Sequence, residues 1–371
     1  MPLAPVDNEG TELHCEDSGP PAGLTDYVTL VICHGTVFHS GAFKPMFAHA
    51  PEHNMRIILV NLRDYPGSTP YSPAEKDIMF GQDYENKADF LQARGFEIAA
   101  LLEWLIKKED LPPIRSGSTA EGVKPFGGVA LLGWSSGSAT VLSLVANADK
   151  LSSETHVLLD GYLRTCFLWD PPSYACGSPL PAIDEYYSIV RDPTLTPNEI
   201  AEAIPVWVFA YYNHDPAVLD SLEDISLSRL AIGLSSQPLS APLPTTQTFT
   251  PDEYNAIIDL PKALSSHVPF ILMDGSIFQG NARRALSEKA VWPRLKIALV
   301  WFDMTLGDVI LGAWYVLQLW KETENGRDFS SRRVRNVNHF SAALERTQES
   351  SDDAPGHDEV TLYTLAHMEV L

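Results

Sequence analysis

Between Tyr27 and Trp169, short β-rich apolar runs alternate with helical patterns, and that alternation narrows the chain to a mostly parallel sheet covered by helices. Tyr27–Cys33 (YVTLVIC) is a continuous apolar strand ending at His34-Gly35. Arg56–Leu62 (RIILVNL) is a second strand, closed by the turn Asp64-Tyr65-Pro66-Gly67-Ser68. Phe96–Leu111 places Ile98, Leu101, Leu102 and Leu105 at the spacing of an amphipathic helix. After a Gly/Ser/Pro-rich connection, Gly128–Gly133 (GVALLG) predicts a third buried strand and Ser136–Ala148 a helix. Leu163–Trp169 (LRTCFLW) is a fourth strand, stopped by Asp170-Pro171-Pro172.

Composition changes from there to about Pro293. Prolines cluster at 171–181 and 238–251, and helical patches such as Pro197–Ala203 and Pro251–Leu260 intervene. Aromatic residues gather at Tyr186, Tyr187, Trp207, Phe209, Tyr211 and Tyr212. This pattern predicts a helical insertion. Sheet character returns at Lys296–Phe302 (KIALVWF), followed by a helix over Leu306–Lys321 and a last short strand and loop at Val334–Phe340. The acidic, Ser-rich Glu349–Glu359 reads as a solvated loop. The expected organisation is one α/β core, discontinuous over 1–170 and 291–371, interrupted by a helical cap over 171–290.

The 371 residues carry 26 Lys+Arg against 48 Asp+Glu, a formal charge of −22. That balance excludes nucleic acid, because phosphate binding needs clustered cations. It argues equally against an anionic membrane surface. Hydrophobic residues at 45% suffice for a large core, so most of the chain is expected to fold. Cys15, Cys33, Cys166 and Cys176 show neither a disulfide framework nor the paired spacing of a zinc site, so no metal is expected. Met1 to Pro20 lacks the basic and apolar regions of a secretory leader, and no apolar run approaches 18 residues. A reduced, cytoplasmic setting without membrane insertion is the expectation.

Gly133-Trp134-Ser135-Ser136-Gly137 carries the chemistry. It lies between a buried strand and a helix, the context of a nucleophile elbow, where only small residues fit two positions either side of the serine. Ser135 is the candidate nucleophile. Acyl transfer also needs two N–H donors for the tetrahedral oxygen. The Ser136 amide at the helix N-terminus is one candidate, and Thr36, in the loop His34-Gly35-Thr36 after the first strand, is the other. A serine hydroxyl needs a general base. Of 11 histidines, His339 in Asn338-His339-Phe340 follows the last sheet-like segment, with His357 and His367 in reserve. The acid has three candidates. Asp303 directly follows Lys296–Phe302, Asp308 comes five residues later in what also reads as a capping box, and Asp170 ends the previous strand.

With those residues in place, the chain resembles the α/β-hydrolase superfamily, in the lineage with a cap inserted before the penultimate strand. The resemblance rests on His34-Gly35, on Asn61 to Ser68, on Gly133–Gly137, and on Asp303/Asp308 with His339, and it covers roughly residues 10–345. Asp64 and Pro66 stand where the family's Arg-Gly-x-Gly-x-Ser turn has glycines, and Thr305 stands at the family's usual acid position. Segment Asp170 to Gly177 with Asn338-His339-Phe340 is similar to poorly characterised fungal members. The resemblance implies ester, lactone, thioester or amide chemistry through an acyl-enzyme, without metal or organic cofactor. The expected activity is that of a carboxylesterase-like hydrolase acting on a small to medium, largely apolar molecule under the cap aromatics. An acyltransferase or cyclase, an aminopeptidase-like amidase, and a non-catalytic ligand-binding member of the fold are the alternatives. The oligomeric state is left open.

Overall fold

The computed structural model describes residues 3–115 and 126–340. Among them, eight strands form one sheet: β1 (Leu3–Pro5), β2 (Glu12–Asp17), β3 (Val28–Cys33), β4 (Met55–Asn61), β5 (Val129–Trp134), β6 (Leu163–Trp169), β7 (Lys296–Phe302) and β8 (Phe329–Val334). Their order across the sheet is β1-β2-β4-β3-β5-β6-β7-β8. β2 runs antiparallel to β1 and β4, and every later pairing is parallel.

Central strands β3, β4 and β5 are buried along nearly their whole length and are mostly apolar because both their faces are covered, with Thr29, Arg56 and Asn61 as the polar exceptions. Val31, Cys33, Leu131, Cys166, Leu168, Ile297 and Leu299 face one core, which includes Ile98 and Leu102 of helix Tyr84–Glu109, Val141 and Leu144 of helix Gly137–Ala146, and Val316 of helix Gly307–Lys321. Alternate residues Leu30, Ile32, Leu59, Leu132, Phe167 and Val300 face a second core with Phe38, Phe43 and Met46. That second core continues into Phe209, Ile257 and Ala263, so the β6–β7 segment covers part of the sheet itself.

The outer strands depart from the sequence reading. β2 (ELHCED) escapes an apolar-run criterion because it is an edge-proximal strand that buries only alternate side chains, Leu13 and Cys15. β8 lies at Phe329–Val334 instead of Val334–Phe340. Its sequence, FSSRRV, is polar because it forms the sheet's edge, where charged side chains block further pairing. Ser153–Tyr162 is a further helix, capped by Ser152. Helix Gly275–Ser287 packs on helices Gly137–Ala146 and Gly307–Lys321, so the layer flanking the sheet resumes before residue 291. All four cysteines are free and buried. No described helix is long and apolar enough to cross a membrane.

Candidate active site

Ser135 follows directly on β5 and has φ of +53°, a left-handed conformation that a serine adopts only at a cost. Tight packing sustains it. A Cβ on Gly133 would lie 2.6 Å from the Gly137 carbonyl oxygen, and one on Gly137 would lie 2.5 Å from that of Cys33. The two glycines let the strand, the turn and the following helix interpenetrate at backbone distance. Gly35 passes just beneath the serine, where a Cβ would come 2.7 Å from Ser135 Cβ. That close approach, and not a left-handed backbone, is what requires glycine there. The Ser135 amide donates to the Trp169 carbonyl at 3.0 Å, tying the turn to the end of β6.

His339 Nε2 stands 2.9 Å from Ser135 Oγ, and its Nδ1 stands 2.7 Å from Asp170 Oδ2. All three residues are buried. Asp170 itself has φ of +51°, and its other carboxylate oxygen accepts the Phe302 amide at 2.9 Å. Both carboxylate oxygens are therefore engaged, and the carboxylate is fixed between β6 and β7. With Nδ1–H donating to Asp170, the imidazole offers Nε2 as acceptor toward the serine. The ring packs against Trp134 (centroids 5.3 Å apart) and Phe209 (5.8 Å), which also touch one another. Trp134 Nε1 also donates to the His339 carbonyl at 3.1 Å. Asn338 anchors the same loop by donating to the Phe209 carbonyl and the Thr245 hydroxyl, each at 2.7 Å.

Asp303 and Asp308, the acids preferred from sequence, do not meet His339. Asp303 accepts the Asn336 amide at 2.7 Å and pairs with Arg333 at 3.1 Å. Burial raises its pKa, and the Arg333 charge works against that rise. Asp308 lies in the first turn of helix Gly307–Lys321 and accepts from the Tyr186 hydroxyl at 3.1 Å. Burial lifts its pKa to about 6. The correction has a topological cause. β6 is paired directly to β5, with Trp169 opposite Trp134, so the residue after Trp169 emerges beside Ser135. The end of β7 lies one strand further away. His357 and His367, the reserve histidines, and Glu349–Glu359 lie outside the described residues.

The loop after β3, marked in the sequence by His34-Gly35, is held by buried groups on both sides of Thr36. His34 Nδ1 donates to the Gly35 carbonyl at 2.7 Å, and His34 Nε2 accepts the Leu62 amide at 3.0 Å. Complete burial holds its pKa well below the ordinary value, so this imidazole is neutral and structural. Val37 has φ of +77°, and its amide donates to the Tyr65 hydroxyl at 2.8 Å. Thr36 is thereby pinned between two fixed neighbours, and its Oγ1 lies 2.9 Å from Ser136 Oγ. In the neighbouring turn Asp64 has φ of +71°, a conformation aspartate tolerates better than most residues, which explains how it stands in a glycine's place. A small cavity of about 20 Å³ beside Ser136 and Thr140 is lined by Arg63, Tyr71, Arg94, Glu97, His267 and Phe270 among others. No cluster of candidate metal ligands occurs among the described residues.

Strand order, the antiparallel β2, and a left-handed serine turn at the end of the fifth strand together decide the architecture. It is the α/β-hydrolase fold. No protein-family model matches the chain. Nor does any curated protein match it. Solved structures similar to it include 2-hydroxy-6-oxo-6-phenylhexa-2,4-dienoate hydrolase from a Rhodococcus species, 15% identical over 99% of this chain and 97% of that one, with a TM-score of 0.49. A carboxylesterase of the thaumarchaeon Nitrososphaera gargenis is 11% identical over 100% and 99%, with a TM-score of 0.48. Proline iminopeptidase from Mycobacterium smegmatis is 11% identical over 100% and 96%, with a TM-score of 0.46. Within the α/β-hydrolase fold of this chain, the serine, histidine and Asp170 described above occupy the carboxyl edge of the parallel strands.

Proposed function

We propose that this chain is a serine hydrolase that cleaves a carboxylic ester or lactone of a small to medium, largely apolar molecule through an acyl-enzyme. One observation carries the reading: an unbroken relay from Ser135 Oγ to His339 at 2.9 Å and from His339 to Asp170 at 2.7 Å, built on a strained serine turn. Buried hydroxyl, imidazole and carboxylate aligned in this order have a direct chemical use in moving the serine proton.

Ser135 Oγ attacks the acyl carbon as its proton passes to His339 Nε2. Asp170 holds the imidazole in the required tautomer and stabilises the imidazolium that forms. The amides of Thr36 and Ser136 receive the developing oxyanion. His339 then protonates the leaving alcohol, and water, activated by the same imidazole, releases the acid. The segment between residue 171 and helix Gly275–Ser287 serves as the cap over this site, with Phe209 against His339. The substrate is a free small molecule.

The test is labelling with a fluorophosphonate probe combined with hydrolysis of a p-nitrophenyl ester series of two to eight acyl carbons. Wild-type protein is expected to label at Ser135 and to hydrolyse at least one ester, and Ser135→Ala to do neither. An unlabelled wild-type protein, or a Ser135→Ala variant with full activity, would overturn the reading. Product ratios with added alcohol or amine separate hydrolysis from acyl transfer, and aminoacyl amides assayed beside esters separate an amidase.

A further inference from the structure

His339 reaches Ser135 from a loop that the sheet core holds by its backbone and the β6–β7 segment holds by a side chain. On the core side, the Met304 amide donates to the Val337 carbonyl and the Trp134 indole donates to the His339 carbonyl, each at 3.1 Å. Between those two points the fully buried side chain of Asn338 turns to the β6–β7 segment. Its Nδ2 donates to the Phe209 carbonyl and to the Thr245 hydroxyl, each at 2.7 Å. Its Oδ1 accepts the Phe340 amide at 3.2 Å. A carbonyl can only accept, so Phe209 fixes which end of the Asn338 amide points into the segment.

The receiving side is itself bound together. The Thr245 amide donates to the same Phe209 carbonyl at 3.0 Å, so one carbonyl of the segment gathers the backbone of Thr245 and the side chain of Asn338. The Phe209 ring meanwhile packs on the His339 imidazole, centroids 5.8 Å apart, and on Phe340 and Phe38 at 4.9 and 4.8 Å. A single residue of the segment therefore touches the imidazole with its ring and holds the preceding residue through its carbonyl. Two grips on neighbouring residues restrict both the loop and the ring it carries.

We propose that Asn338 is a positioning residue: it fastens the His339 loop to the β6–β7 segment and so sets the imidazole against Ser135. The proposal rests on the serine-hydrolase reading of Ser135 and goes beyond it, because the general base then depends on a segment that supplies none of the reacting atoms. In the acylation step the Ser135 Oγ–C bond forms, the carbonyl π pair moves onto its oxygen, and the Oγ proton moves to His339 Nε2. That transfer needs Nε2 in line with the proton as the bond forms. Asp170 fixes one edge of the ring through Nδ1 at 2.7 Å. One hydrogen bond leaves the ring free to swing about it, and the Phe209 contact, registered on the loop through Asn338, limits that swing. Asn338 keeps its protons throughout.

The experiment measures kcat and KM on p-nitrophenyl butyrate, the rate of fluorophosphonate labelling at Ser135 and the denaturant midpoint for wild type, Asn338→Ala, Thr245→Val and Thr245→Ser. Thr245→Val removes one acceptor for Asn338 at nearly constant side-chain shape, and Thr245→Ser returns it. Asn338→Ala is expected to lower kcat about 10- to 100-fold, with KM changed by less than about threefold. Labelling is expected to slow by the same factor as kcat/KM, because phosphonylation uses the same base. Thr245→Val is expected to lower kcat about three- to tenfold, and Thr245→Ser to return it to within about twofold of wild type. A merely structural role would lower the midpoint and leave kcat and labelling of the folded protein unchanged. That result, or a rise in KM alone, would overturn the proposal while leaving the hydrolase reading intact. Should Asn338→Ala fail to fold, the Thr245 pair decides: wild-type kcat in Thr245→Val, or Thr245→Ser as impaired as Thr245→Val, refutes the role. A wild type that neither labels nor hydrolyses would overturn both.

Discussion

The Asp170 carboxylate meets His339 Nδ1 at 2.7 Å across 169 residues of chain, and it does so from the end of β6, the strand hydrogen-bonded to the one that carries Ser135. Asp303, at the end of β7, turns its carboxylate toward Arg333 and the Asn336 amide. Asp170→Asn keeps an oxygen for the Phe302 amide but removes the acceptor that orients the imidazole. It is expected to lower kcat by about 10³- to 10⁴-fold with little change in KM. Asp303→Asn is expected to stay within about threefold of wild-type kcat. Steady-state kinetics of the two variants on one ester check both, and the reverse ranking would transfer the acid's role to Asp303.

The glycine at 137 is required by contact. A Cβ there would lie 2.5 Å from the Cys33 carbonyl oxygen and 2.6 Å from that of His34. Neither backbone atom belongs to a flexible side chain that can move aside. Gly137→Ala is expected to destabilise the fold by more than about 3 kcal/mol, read as a lowered denaturant midpoint. An alanine variant with a wild-type midpoint would mean that the elbow tolerates a wider turn than this packing allows.

Tyr65 holds a strained residue in place. Its hydroxyl accepts the amide of Val37, whose φ is +77°, one residue beyond Thr36. Tyr65→Phe leaves that buried N–H unpaired, at a cost of about 1–3 kcal/mol, and frees the loop that carries the proposed oxyanion donor Thr36. Stability measured by denaturation is expected to fall by that amount. kcat is expected to drop more than KM rises, because the loop is needed most in the transition state. Wild-type kcat in a destabilised protein would separate Thr36 from the oxyanion role.

Asp308 gives the fold a pH dependence of known sign. Burial lifts its pKa from 3.8 to about 6, so between those values the folded state holds its proton more tightly than the unfolded chain. Its contribution is fully present below pH 3.8 and is lost as pH rises through about 6. That rise from 3.8 to about 6 corresponds to at most about 3 kcal/mol. Asp308→Asn keeps the acceptor for Tyr186 and cannot ionise. The stability difference, variant minus wild type, is therefore expected to grow from pH 4 to pH 7 in chemical denaturation. His214 and His267, whose buried rings titrate at about 4, act in the opposite direction, but they are common to both proteins and cancel. A difference that does not change with pH would show that Asp308 carries no such burden.

Much of the fold was legible because its central strands are buried on both faces. Residues such as Val31 and Ile32 in β3, and Leu131 and Leu132 in β5, must be apolar in unbroken runs, and those runs announce themselves. Edge and edge-proximal strands bury only alternate residues or few at all, so β2 and β8 left no such run. Local sequence also sufficed for Ser135, because the two glycines flanking it are demanded by the turn itself. Phe209 gave no comparable signal. It is an aromatic in an aromatic-rich insertion, and its position depends on how distant segments dock.

By itself, then, the sequence determined the alternating architecture and the serine turn, since each is a matter of local periodicity or of residues that touch within a few positions, while His339 was singled out only by its place in chain order. Which carboxylate completes the relay was decided only by the tertiary structure. Asp170 and Asp303 each stand directly past a strand end, Asp308 follows in the first turn of the next helix, and nothing local says which of the three reaches the imidazole. The order of strands in the sheet does: β6 lies against β5 and β7 does not, so only Asp170 emerges within hydrogen-bonding distance of an imidazole already touching Ser135.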